Sequence, residues 1–224
     1  MSDAIREIVI IGASGFGKEV AFLIEDINNG APAWRIVGFL DDNPAKHGAS
    51  CVGYPVLGGT DWLRDRAGIA CAVGVGDPRV RRRIVRRIEP MGVVFPSLVH
   101  PSVIRHRSVE LQDGVIVCAG NILTVEIRLG RHVHLNLMNT VGHGAVLGDF
   151  CTVYPGVNLS GDVTLEEGVS MGTGGEIIQG LRVGAGTVVG AGATVVRDLP
   201  GNVVAVGSPA KPIREISPRW EEEA

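Results

Sequence analysis

From Leu111 onward every sixth residue is aliphatic: Leu111, Val117, Leu123, Leu129, Leu135, Val141, Leu147, Val153, Leu159, Leu165, Met171, Ile177, Val183, Val189 and Val195, fifteen positions without a miss. The next residue is glycine at Gly130, Gly142, Gly148, Gly172, Gly184 and Gly190. Two positions before the aliphatic one stands a small or β-branched residue, as at Val109, Ala145, Cys151, Val157, Val163, Thr187 and Ala193. This period is neither the 3.6 of an amphipathic helix nor the 2 of a half-buried strand. It is the signature of a hexapeptide β-helix. Each unit supplies a short strand and a turn, with the aliphatic residue pointing into a narrow prism and glycine relieving the corner. Three units close a triangular coil, so this stretch predicts about five coils paired as parallel strands. An ordinary sandwich would show period two and irregular spacing.

Before the repeat the pattern is different. Ile8-Val9-Ile10-Ile11 reads as a buried strand, followed by Gly12-Ala13-Ser14-Gly15-Phe16-Gly17 and an amphipathic segment over 18–28. A second strand is predicted over 35–40, ending at Asp41-Asp42, and a third over 70–75, before Pro78 and a helix reaching about Glu89. Strand, glycine loop and helix form an α/β unit with room for one mononucleotide half of a doubly wound, Rossmann-like fold. The expected organisation is a Rossmann-like mononucleotide-binding domain over 1–98 and a β-helix over 99–198. A tail over 199–224, rich in proline and ending in acidic residues to Glu223, is expected as an extended cap.

Composition narrows the class. Glycine accounts for 32 of 224 residues, about twice its usual share, which suits a tightly turning repeat; collagen periodicity is absent. With 45% hydrophobic residues and a net charge of −3, the chain reads as globular and not as a nucleic-acid coat. The longest bland run, 185–196, is too short and glycine-rich to span a bilayer, so no membrane insertion is expected. Met1 to Glu7 lack an apolar signal core, and Cys51, Cys71, Cys118 and Cys151 form no CxxC pair, which points to the cytoplasm.

Four groups of residues carry candidate chemistry. Gly12, Ser14 and Gly15 open a helix after a strand, where N–H groups and the positive helix end suit a phosphate, although a ligand-free βα turn reads the same way. Asp41 and Asp42 suit a ribose or base, or an ordinary turn before Asn43-Pro44. The arginines between Arg79 and Arg87 alternate with Val80, Ile84, Val85 and Ile88 at helical spacing, which reads as a solvated amphipathic face. His143, two residues after the inward Val141, has the intrinsic pKa of a general base; a histidine stacked at a prism corner is the structural alternative. His132 and His134 with His143 would resemble the ligands of γ-class carbonic anhydrases, but they occupy different positions of the six-residue frame, and no metal is expected.

Taken in order, Gly12-Ala13-Ser14-Gly15-Phe16-Gly17-Lys18-Glu19, Gly38-Phe39-Leu40-Asp41-Asp42, His100-Pro101, Gly142-His143 within the repeats, and Val206-Gly207-Ser208-Pro209-Ala210-Lys211 resemble the hexapeptide-repeat sugar acetyltransferases. That family includes sialic acid O-acetyltransferases and nucleotide-amino-sugar N-acetyltransferases. The resemblance implies a homotrimer of left-handed β-helices with acetyl-CoA between prisms and a nucleotide-linked amino sugar on the N-terminal unit. It implies His143 as the base, Asn136 in the acceptor pocket and the Gly161 N–H on the thioester oxygen. It places CoA near Gly172, Gly190 and Lys211. The expected activity is N-acetylation for bacterial surface glycan synthesis. O-acetylation and a non-catalytic nucleotide-sugar-binding trimer are the alternatives.

Three positions depart from the family pattern. Gly144 stands where many relatives carry Asp or Glu after the histidine, so another group must orient the imidazole, with Asn136 or a neighbouring side chain as candidates. Thr152 stands where some members have a second histidine. Phe16 replaces a phosphate-contacting histidine, leaving backbone N–H groups and Lys18 to hold the nucleotide.

Overall fold

A computed structural model of the chain describes residues 5–222; the first part of the charged N-terminal stretch and the end of the acidic tail lie outside the described residues. The chain forms two compact units: the residues up to Gly76 with Val80–Pro101, and Asp77–Arg79 with the residues from Ser102 onward.

In the first unit the apolar run becomes β1 (Arg6–Ile11), whose last four residues are buried. Burial on both faces is what a central parallel strand requires. It pairs in parallel with β2 (Trp34–Leu40) and with a strand over Ala70–Val73. A hairpin of Ser50–Cys51 and Tyr54–Gly58 extends the sheet beyond β2. The helix α1 (Gly15–Gly30) buries Val20, Ala21, Leu23 and Ile24, one apolar stripe, against β1 and β2. Each such fully buried Leu or Ile contributes about 1.5–3 kcal/mol. The second helix, α2 (Pro78–Ile88), buries Val85 and Ile88.

The second unit is the parallel β-helix that the repeat predicts, left-handed as the family resemblance implies. Paired strands step along the chain as Ile122–Leu123, Thr140–Val141 and Asn158–Leu159, with Leu123, Val141 and Leu159 in register. The interval from Leu123 to Val141 and again to Leu159 is 18 residues, one coil of three six-residue units. Of the fifteen aliphatic positions all but Leu111 are buried, and Leu111, on the first of these units, is half-buried. Buried amides brace the coils: Asn121 Nδ2 donates to the carbonyls of Cys118 and Asn136, and Asn139 Nδ2 also donates to Asn136.

The role expected of the repeat glycines needs correction. The glycine directly after the aliphatic residue does not turn the corner. At Gly142 an added Cβ would lie 2.5 Å from the Gly161 nitrogen, so this position is small because the next coil passes too close. The corner is turned two residues later, in the left-handed region, by Gly144 (φ +68°) and also by non-glycine residues such as Asp162 (φ +58°).

The tail stays on the β-helix. Val203–Val206 pairs in parallel with Val188–Val189, Lys211–Glu215 folds back antiparallel on it, and Trp220 is buried, its backbone N–H donating to Asn202 Oδ1 at 2.6 Å. No helix among the described residues is long and apolar enough to cross a membrane.

Candidate active site

Two sites emerge, one in each unit. In the first unit a cavity of about 570 Å³ lies at the carboxyl ends of the strands, lined by Gly12, Ser14, Leu40, Asp41, Asp42, Thr60, Arg83 and Arg87 among others. This end of a parallel sheet is where α/β folds hold ligands. The loop Gly12–Gly17 is pinned there by backbone chemistry. Gly12 N–H donates to the Leu40 carbonyl at 2.7 Å and Ala13 N–H to Asp41 Oδ2 at 2.9 Å. At Gly17 a Cβ would overlap the Gly12 carbonyl oxygen, so only glycine lets α1 start so close beneath the loop. Ser14 caps α1 with its backbone, but its hydroxyl makes no capping bond, and the first turn carries no acidic residue. The positive helix end therefore faces the cavity rim unneutralised, with a hydroxyl beside it. Gly15 is the first residue of α1 and is exposed.

Both aspartates do scaffolding work. Asp41 also accepts from Asn43 N–H and Lys46 Nζ. Burial raises its carboxyl, but hydrogen bonds from Lys46 and from the Asn43 and Ala13 N–H groups outweigh that and hold it below its ordinary pKa. Asp42 accepts from the Thr60 N–H and hydroxyl, each at 3.0 Å, and pairs with Arg87. Here too burial raises the carboxyl, and the Thr60 and Arg87 bonds bring the net value below normal. Asp41 thus ties the glycine loop to the end of β2, and Asp42 ties β2 to Thr60 and α2.

The arginine helix is not simply a solvated face. Arg81 is fully buried, its Nη1 donating to the carbonyls of Val75 at 2.7 Å and Gly76 at 3.0 Å. Arg83 and Arg87, one turn apart, line the cavity, whereas Lys18 and Phe16 do not. Helical spacing identified the apolar stripe and left these cationic positions looking equivalent; only the sheet end beneath α2 distinguishes them.

In the second unit His143 is 57% exposed by side chain. It stands two residues after Val141 and one 18-residue coil before Gly161. Its imidazole lies against the Gly161 Cα: a Cβ there would fall 2.5 Å from both Cε1 and Nε2. The Gly161 N–H, part of the same surface, donates to no group among the described residues. Asp162 follows, its N–H donating to the His143 carbonyl at 2.7 Å and its Oδ1 standing 3.7 Å from His143 Nδ1. Gln179 Nε2 donates to the other carboxylate oxygen at 3.3 Å. Asp162 escaped the sequence reading, although a one-coil step from Gly144 leads to it.

Within the chain the hydrogen bonds of Asn136 run to its own neighbours and not to the imidazole. Its Oδ1 accepts from the neighbouring Leu137 N–H at 3.0 Å, and its carbonyl holds the Asn121 and Asn139 amides. Thr152 is buried opposite His134 in register. His132 and His134 are both buried, His132 stacked on Phe150, whereas His143 is exposed. Among the described residues no group of three or more His, Cys, Asp or Glu could hold a metal.

Gly172, Gly190 and Lys211 fall in one row. A Cβ on Gly172 would lie 2.7 Å from the Gly190 carbonyl carbon, and one on Gly190 would lie 2.7 Å from Val206 Cγ1. Val206 in turn pairs with Lys211. Coil spacing alone accounts for these two residues being glycine.

Comparison with known proteins agrees with this division. Residues 7–88 match the PglD N-terminal domain family. The GDP-perosamine N-acetyltransferase of Escherichia coli O157:H7 is 27% identical over 212 residues, covering 92% of this chain and 95% of that protein. PerB from Caulobacter crescentus, solved with CoA and GDP-perosamine, is 34% identical over 94% of this chain and 99% of its own, with a TM-score of 0.84. The acetyltransferase domain of PglB from Neisseria gonorrhoeae, solved with acetyl coenzyme A, is 32% identical over 94% of this chain and all of that domain, with a TM-score of 0.85. Identity at this level across nearly the whole chain, over both the cavity-bearing unit and the β-helix, means that the chain belongs to the hexapeptide-repeat family of nucleotide-amino-sugar N-acetyltransferases.

Proposed function

We propose that the chain transfers the acetyl group of acetyl-CoA to the amine of a nucleoside-diphosphate-linked amino sugar, with His143 as general base. The observation that carries this reading is an exposed imidazole packed on the Gly161 Cα, beside a Gly161 N–H that has no acceptor among the described residues. The amine nitrogen attacks the thioester carbonyl and His143 takes the amine proton. The Gly161 N–H donates to the oxygen as it becomes an oxyanion. The C–S bond then breaks, and CoA leaves as the thiol after receiving a proton. The nucleotide sits in the cavity of the first unit, its phosphates at the Ser14 end of α1 with Arg83 and Arg87 opposite. CoA runs along the Gly172, Gly190 and Lys211 row, and Asn136 borders the acceptor. The exposed Ile104 and Ile122, neighbours in one sheet of the β-helix, support packing against further copies in a homotrimer. With four cysteines and no disulfide among the described residues, the cytoplasm is the compartment we assign.

The test mixes purified protein and acetyl-CoA with UDP-, GDP-, CMP- and dTDP-linked amino sugars and their deaminated counterparts, following thiol release and product mass. A product from an amino sugar and none from its deaminated partner is expected. His143→Asn should lower turnover about 10²–10⁴-fold. Acetylation of the deaminated sugars would refute amine transfer, and an unchanged rate would remove His143 from the reaction.

A further inference from the structure

We infer that Asp162, one coil beyond the usual place, is the positioning carboxylate of His143; this rests on the reading of His143 as the base. A neutral imidazole has two tautomers and a free ring torsion, and it works as a base at Nε2 only when a partner keeps the proton on Nδ1. Residue 144 supplies no side chain for this. Asp162 does: its Oδ1 stands 3.7 Å from Nδ1, within ion-pair reach and short of a hydrogen bond. Both side chains are more than half exposed, so a small torsional change closes that gap, and loose geometry without substrate is usual for catalytic groups.

Two further observations make the placement specific. The first is exclusion. A Cβ on Gly144 would overlap Asp162 Oδ1, so a side chain at 144 and a carboxylate at 162 compete for one volume. The chain thus exchanges a carboxylate beside the histidine in sequence for one above it in space. The second is the side chain present at corner 162. Corners at Gly144, Gly156, Gly168, Gly174, Gly180, Gly186 and Gly192 use glycine in the left-handed region, whereas Asp162, like Glu126, His132, Met138 and Phe150, takes it with a side chain attached, at φ +58°. Asp tolerates that region better than most residues, yet still less readily than glycine. In that conformation its carboxylate reaches back over the preceding coil, and Gln179 Nε2 holds the oxygen turned away from the imidazole.

The charged groups at the corners stacked with residue 144 are Glu126 on the preceding coil and Asp162 on the following one. Among the described residues only Asp162 comes within ion-pair distance of His143. Asp162 therefore has two effects: it holds the ring with Nε2 toward the Gly161 surface, and it stabilises the imidazolium formed when the amine proton arrives.

The experiment compares wild type, Asp162→Asn, His143→Asn, and Gly144→Asp with and without Asp162→Gly, all as full chains with melting temperatures recorded. Asp162→Asn should lower kcat about tenfold while KM for acetyl-CoA and for the amino sugar stays within about twofold, because only a fraction of the base's contribution is orientation. Gly144→Asp alone should be poorly active and less stable, whereas Gly144→Asp with Asp162→Gly should recover turnover to within a few-fold of wild type. Unchanged kcat in Asp162→Asn and no rescue of Gly144→Asp by Asp162→Gly, with His143→Asn still inactive, would overturn this inference alone. An active His143→Asn would overturn it together with the assignment of the base.

Discussion

Gly161→Ala separates where the imidazole sits from whether it is present. The new Cβ would lie 2.5 Å from Cε1 and Nε2 of His143 and 3.0 Å from Cδ2, and its three nearest neighbours are all ring atoms. Carbon contacts settle near 3.5–4.0 Å, so the ring must retreat by about 1 Å. The side chain is 57% exposed, so solvent leaves room for that movement. Gly161 does not have a positive φ, so alanine meets no backbone strain, and the loss of unfolded-state freedom favours it by about 0.4–1 kcal/mol. Stability should therefore change by less than about 1 kcal/mol. Catalysis should suffer more, because a displacement of about 1 Å costs roughly 10²-fold, or about 2.7 kcal/mol of transition-state stabilisation. The backbone N–H survives the substitution, so the loss reports the ring and not the oxyanion donor. Steady-state thiol release gives kcat, a thermal melt gives stability, and His143→Asn supplies the cycle: Gly161→Ala should add little once the imidazole is gone. A Gly161→Ala enzyme with wild-type kcat, or full additivity with His143→Asn, would refute the claim that Gly161 seats the base.

Other consequences concern the first unit. Gly17→Ala should destabilise the chain by at least about 2 kcal/mol in urea unfolding, because its Cβ meets the Gly12 backbone, which cannot yield as a side-chain tip would. Arg87→Ala should raise KM for the nucleotide sugar about tenfold, the worth of one charged hydrogen bond, and leave KM for acetyl-CoA within twofold; equal effects on both would argue against a phosphate contact. Asp41 has its pKa lowered in the folded state, so its stabilising contribution is full above the unfolded value near 3.9 and is lost as pH falls through the folded one. The stability gap between wild type and Asp41→Asn should accordingly be constant from pH 7 to about 5 and narrow below about pH 4; a gap that widens with acid would contradict this sign.

The β-helix was legible because one rule, an aliphatic residue every six positions, is enforced by a prism too narrow to accept exceptions. The edge hairpin of the first unit was not, because its turn puts Val52 at φ +43° before Gly53, and a β-branched residue there gives none of the usual turn chemistry. At the site the sequence pointed to His143 and to the loss of a carboxylate at 144. It did not point to Asp162, since neighbours along the chain were weighed and neighbours one coil away were not. Arg81 and Arg87 look alike in a helical projection, yet one is sealed against the carbonyls after the last strand and the other borders the cavity. That distinction belongs to tertiary packing and leaves no periodic trace.

The 18-residue step between stacked positions also sets a unit for sequence change. In a solenoid each coil answers mainly to its two neighbours. An insertion or deletion of one whole coil beyond Gln179 keeps every inward residue inward and leaves the 142–144 and 160–162 segments facing each other. A single-residue slip between those segments would turn aliphatic positions outward and pull Gly161 from beneath the imidazole. Length variation among such chains should thus come in multiples of a coil away from residues 142–162, and almost never within them.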